Sequence, residues 1–408
     1  MNLKKYLQKQ RKNYMAERNL DFDKVINRKN TRCLKYDFAV KRGKPADVLP
    51  LWVADMDFET SSYIEDALVA RAKEGIFGYS EVQTPYFEII ANWMKLHHNW
   101  EIQEDWLIKT PGVVFALAMA VKAYTQPGDS VLIQLPVYYP FSEVIQDNGR
   151  KVVSSNLYQG EDNRYHIDFQ DFEKKIVEEN VKLFFLCNPH NPIGKVLTLA
   201  EEQRLCELAE RYDVRIFNDE IHAPFVFEGR HIPYPTISEA AARQSMTATS
   251  ASKSFNIPGT KCAQVLLTNP ADREMWAERA EWSEHQTATI GAIATTTAYN
   301  EGDPWFQDAL SYVRRNLGLF DEQMSTRFSG VGYIRPRGTY IAWLDFGPLG
   351  IDDPAAYFLE KAKVALTDGR SCGRAGAGCV RVNMAMPYPL LVDCLNRMHD
   401  ALQADGLL

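Results

Sequence analysis

The run Ser250-Ala251-Ser252-Lys253-Ser254-Phe255-Asn256 places one lysine beside two hydroxyls, directly after the strand-like stretch Met246 to Thr249. A lysine that attacks a carbonyl at neutral pH needs a lowered pKa. A phosphate held beside it needs short donors, such as serine hydroxyls and free backbone N–H groups. Ser-x-Ser-Lys is also a common surface tetrapeptide, so the reading depends on what accompanies it. Asn191, in Asn188-Pro189-His190-Asn191-Pro192-Ile193-Gly194, offers an amide donor from a loop stiffened by two prolines, suited to a phenolate oxygen. Asp219 offers a carboxylate that would keep a pyridine nitrogen protonated. Singly, these are an ordinary turn former and an ordinary helix cap. In the order Asn, Asp, Lys they suit pyridoxal phosphate, and Pro111-Gly112-Val113-Val114, opening an Ala-rich helix upstream, adds an N-terminus for its phosphate.

The elements that must position these groups are a series of short apolar strands alternating with amphipathic helices from about Pro111 to Pro270, as in a parallel sheet covered on both faces. Strands are expected at Ser130 to Leu135, Val181 to Cys187, Val214 to Phe217 and Ser245 to Thr249, with a helix from Ala200 to Tyr212. In open α/β sheets ligands bind beyond the carboxyl ends of the strands, where Asn188 to Gly194, Asp219 to His222 and Ser250 to Lys253 fall. After Gly302 the pattern becomes α+β. A long helix is expected over Trp305 to Phe328, strands at Thr339 to Phe346 and Cys379 to Asn383, and a helix from Pro354 to Ala365. The expected division is an N-terminal arm and packing segment over 1–60, a large domain over 61–302 and a small domain over 303–408.

The chain of 408 residues carries a net charge of −7 without a basic block beyond its first turns, which argues against nucleic acid as a partner. No apolar leader or membrane-length stretch is present, so a cytoplasmic protein is expected. Met1 to Leu20 reads as a charged helical arm. The seven cysteines form no Cys-x-x-Cys pair and read as reduced, and His97-His98, on a helix expected over Tyr86 to His98, does not read as a metal site.

From about Phe22 to Arg397 the sequence resembles the fold-type I pyridoxal-phosphate enzymes, specifically the MalY/PatB type of cystathionine β-lyase, a C-S lyase. The resemblance is carried by Leu49 to Phe58, Phe77-Gly78-Tyr79, Cys187 to Gly194, Asp219-Glu220-Ile221-His222, Ser250 to Asn256 and Val380-Arg381-Val382-Asn383. It implies the aspartate aminotransferase-like α/β fold, a mostly parallel seven-stranded sheet with a smaller α+β domain. It also implies pyridoxal 5'-phosphate bonded to Lys253, with Asp219 at the pyridine nitrogen, Asn191 at the ring oxygen, and Tyr138 stacked on the ring. His222 stands where many relatives have a tyrosine near that oxygen. Gly112, Val113, Ser250 and Ser252 are implied phosphate ligands, Tyr79 reaches the phosphate from the other subunit of a homodimer, and Arg381 grips the substrate carboxylate.

Three positions need separate comment. Tyr138 sits in an aromatic cluster with Tyr139 and Phe141, so packing explains it as well as stacking does. Asp55 and Asp57 are expected to hold a loop near the substrate, with Asp57 counted among the substrate-binding residues alongside Asn191 and Tyr138. Lys261 and Cys372 depart from the subgroup's pattern; Lys261 would add a charge to the phosphate cup, and Cys372 would alter the substrate entrance. The implied reaction is β-elimination from L-cystathionine or a related cysteine S-conjugate. The alternatives are an aminotransferase, which needs the same lysine, aspartate and arginine, and a regulatory protein that retains the fold.

Overall fold

The computed structural model describes residues 20–81, 85–284 and 287–408. Residues 1–19 of the expected arm lie outside them. The central sheet contains β1 (Leu107–Thr110), β2 (Ser130–Leu135), β3 (Lys151–Asn156), β4 (Val181–Cys187), β5 (Arg215–Asp219), β6 (Ser245–Thr249) and β7 (Ala263–Leu267). Their order is β1-β7-β6-β5-β4-β2-β3, and β7 alone runs against its neighbours. Side chains alternate across the sheet as strand geometry requires. Leu183 and Phe185 join Val131, Ile133 and Phe217 on one face, while Phe184 and Leu186 join Leu132 and Ile216 on the other. Both faces are covered, which is why β4 is almost continuously apolar.

A second sheet contains β8 (Gly332–Tyr333), β9 (Ile341–Asp345), β10 (Thr367–Asp368) and β11 (Cys379–Asn383), all antiparallel in the order β8-β9-β11-β10. The long helix expected near Trp305 runs from Asp303 to Thr326, and its Leu317 and Phe320 pack with Leu344, Val380 and Leu395 of the core behind this sheet. The helix expected over 354–365 stops at Lys361. Lys363 adopts a left-handed φ of 54°, and Val364–Ala365 then pairs in parallel with Leu49–Pro50. That pairing brings the segment before Phe58 against the C-terminal part of the chain. Among the described residues, no helix is long and apolar enough to cross a membrane.

Candidate active site

Three adjacent parallel strands end at one level. Cys187 of β4 is in register with Asp219 of β5, and Asp219 with Ala248 of β6. The loop after β4, Asp219 itself and the Ser250 turn after β6 therefore open into one cavity of about 460 Å³. It is lined by Asn191, Asp219, His222, Ser252, Lys253 and Tyr138, with Gly112 and Val113 beyond them. Val113–Tyr124 is a helix with Gly112 as its N-cap, so its first unpaired N–H groups lie at the cavity and would suit an anion. A Cβ on Gly112 would meet nothing within 4 Å, which leaves open space at that helix end.

The electrostatics suit imine chemistry. Burial, with the Arg381 charge second, pushes the Lys253 amine down to about 8, against Asp55 and Asp219, which pull it up. Its Nζ donates to the Ala54 carbonyl at 2.6 Å. Burial raises the Asp219 carboxyl to about 6, opposed by the Ile221 N–H, which donates to Oδ1 at 3.0 Å, and by Lys253. His222 is held neutral by burial, and its Nδ1 has no hydrogen-bond partner among the described residues. Burial lifts the Tyr138 phenol to about 12.

Arg381, on β11, is 5 % exposed. Its Nη1 donates to Asn191 Oδ1 and its Nη2 to the Trp52 carbonyl, both at 3.2 Å. With its oxygen accepting from Arg381, Asn191 has its amide N–H donors left for a ring oxygen. The Asn191 loop is itself docked at Gly194, whose φ is +66° and where a Cβ would stand 2.3 Å from Pro336. The Arg337 and Gly338 N–H groups both donate to the Gly194 carbonyl. Only glycine fits there.

A carboxylate for a ring nitrogen, an amide donor for a ring oxygen, an unpartnered neutral imidazole, a helix N-terminus for a phosphate and a buried amine fit pyridoxal 5'-phosphate. Lys253, Asp219, Asn191, His222, Tyr138, Gly112, Val113 and Ser252 would hold it. Lys261 lines the same cavity from an exposed left-handed position. Ser250 also lines it, but its hydroxyl donates to the Cys262 carbonyl at 2.7 Å and accepts the Ser252 N–H at 3.0 Å.

Arg381 does not itself line this cavity, and three other positions also fall away from it. Asp57 is buried against Lys35 at 2.5 Å and Arg28 at 2.6 Å and does not line it. Tyr79 stands fully exposed at 111 %. Cys372 is 1 % exposed and packs with Trp343 and Cys379, so it belongs to the core beside Arg381. Two contributors fall in no motif of the sequence, Phe115 on the cavity wall and Tyr340, whose hydroxyl donates to Ala54; the carbonyls of Trp52 and Ala54 and the wall residue Cys187 lie within motifs but are assigned no role there.

The sequence profile of aminotransferase class I and II matches residues 46–392. The chain belongs to this family. It is 35 % identical to cystathionine β-lyase PatB of Bacillus subtilis, over 94 % of the chain and all of that protein. It is 32 % identical to a cystathionine β-lyase of Corynebacterium glutamicum, over 93 % of the chain and all of that protein. Among solved structures, cystalysin of Treponema denticola, which contains a pyridoxal 5'-phosphate cofactor, superposes with a TM-score of 0.90 at 32 % identity. That match covers 95 % of this chain and all of the other.

Proposed function

We propose that this chain is a pyridoxal-phosphate-dependent carbon-sulfur β-lyase that releases pyruvate, ammonia and a thiol from L-cystathionine or a related cysteine S-conjugate. The observation that carries the chemistry is the buried Lys253 amine in one cavity with Asp219 and Asn191. The choice of elimination over transamination rests on relatives named cystathionine β-lyase that match the chain nearly end to end.

When bound, the cofactor supplies an electron-accepting ring for charge that develops at the substrate Cα. Asp219 holds the ring nitrogen in its protonated form. Arg381 binds the substrate carboxylate with its planar donors, and Asn191 orients the ring oxygen. Lys253 Nζ takes the Cα proton and then gives a proton to the departing thiolate, a double role that suits an amine titrating near neutrality. The enzyme acts in the cytoplasm as a homodimer, with Tyr79 reaching the partner's phosphate; its exposed position beside the exposed Ile76 and Phe77 supports this reading.

The test is pyruvate release from L-cystathionine by the cofactor-loaded protein with no keto acid added. Pyruvate and free thiol in equal amounts are expected, and Lys253→Ala should reduce turnover by at least about 10⁴-fold. Turnover that needs a keto acid would instead establish an aminotransferase.

A further inference from the structure

The segment Trp52 to Phe58 is fastened by its backbone carbonyls. Asn383 Nδ2 donates to Val53 at 2.8 Å and to Asp55 at 2.6 Å, and Asn256 Nδ2 to Met56 at 3.1 Å and Phe58 at 2.8 Å. The Ala54 carbonyl between them receives the Tyr340 hydroxyl at 2.9 Å and Lys253 Nζ at 2.6 Å. A carbonyl oxygen has two lone pairs, so these two donors fill it.

Tyr340 is fully buried, edge-on to Phe225 at 4.8 Å and to His222 at 5.6 Å. Burial keeps its phenol protonated and therefore a donor. The preceding residue, Thr339, has a φ of 68°, a conformation that β-branched residues adopt only when their surroundings enforce it. The Phe225 carbonyl accepts the Thr339 N–H at 2.8 Å, and Thr339 Oγ1 accepts the Ile341 N–H at 3.2 Å. The backbone is thus bent at the point that delivers Tyr340 to Ala54.

We propose that Tyr340 is a positioning residue for proton transfer at the substrate Cα: it fixes the Ala54 carbonyl, on which the Lys253 amine rests whenever that amine is free. When Nζ takes the Cα proton it becomes an ammonium, and its hydrogen bond to the carbonyl strengthens as the charge forms. The proton is later returned to Cα or passed to the leaving sulfur, and Nζ is neutral again. Tyr340 acts through Ala54 and touches no reacting atom. The assignment rests on the cofactor chemistry proposed above, but not on the choice between elimination and transamination.

The experiment uses the holoenzyme with L-alanine in deuterated water, following loss of the Cα proton by NMR. L-Alanine has no β-leaving group, so exchange reports proton transfer alone. Tyr340→Phe keeps the ring and removes the hydroxyl. Exchange should fall about tenfold or more, because a loosened amine is a misplaced base. The absorbance of the bound cofactor, and the L-alanine dissociation constant read from it, should stay within about twofold of wild type. Exchange within about twofold of wild type overturns the proposal. So does a parallel loss of binding and exchange, which marks a purely structural role. A wild-type enzyme that exchanges L-alanine yet releases no pyruvate from L-cystathionine would sink the lyase reading and leave the test of Tyr340 intact.

Discussion

Arg381 divides its guanidinium between the Asn191 side chain and the Trp52 carbonyl, so one residue of β11 is tied to two distant segments, and in the function proposed above it would also hold the substrate carboxylate. A lysine there keeps the charge but loses the fork. Arg381→Lys is expected to raise KM for an amino-acid substrate by roughly 10- to 100-fold and to lower kcat by less, as steady-state kinetics will show. At this scale the sequence exposes residues whose chemistry is local. Lys253 beside serines and Asn191 between prolines can be read in place, because short-range patterning fixes both loops. Tyr340 could not be read so: it acts on Ala54, 286 positions away in the chain, and an aromatic on a strand looks like core. Asp57 shows the converse, since nothing local reveals that Lys35 and Arg28 occupy its carboxylate.

Elements hold these residues through contacts that also cost stability. The helix Leu199–Arg211 presents Glu202, fully buried, to the Asn188 amide at 2.8 Å. Burial, with the nearby Glu220 charge second, pushes its carboxyl up to about 9 from an ordinary 4.5. Between those values the folded protein holds a proton that the unfolded chain releases. Glu202 therefore costs stability progressively as pH rises through that window. Glu202→Gln, neutral at every pH, removes the loss: its urea midpoint should exceed wild type by more at about pH 8 than at about pH 5. Equal differences at both pH values would contradict the assignment. β4, buried on both faces, was legible from its unbroken apolar run, whereas β7, equally buried, was not among the expected strands. β3, an edge strand with exposed Lys151 and Asn156, was not legible, because four of its six residues are polar. The end of the helix at Lys361 depends on the left-handed Lys363, a position where the sequence offers no glycine to mark the stop.

Across the whole molecule, the alternation of strands and helices and the order of the motifs made the fold class legible, but one chain alone does not show which surfaces meet another copy. Ile76, Phe77 and Tyr79 form an exposed apolar loop on a protein whose other large apolar side chains are mostly buried. In the homodimer proposed above, Tyr79→Phe should weaken cofactor binding by about tenfold, the worth of one hydrogen bond to a charged group, while sedimentation still gives a dimer. Unchanged cofactor affinity would remove Tyr79 from the phosphate site.

The fastening of Trp52 to Phe58 has a consequence for how the enzyme is made. Asn256, Tyr340, Thr367, Arg381 and Asn383, which grip that segment, all follow it in the chain by about 200 residues or more. During synthesis the early segment leaves the ribosome long before these later holders exist, so it waits with only its pairs to the preceding Arg28 and Lys35 while the central sheet assembles. The wall of the site that carries Ala54 is completed only when Asn383 has emerged. Chaperone contact and proteolysis during that interval should concentrate on the stretch before Phe58, and the finished chain should lose that vulnerability at the moment it gains its last strand.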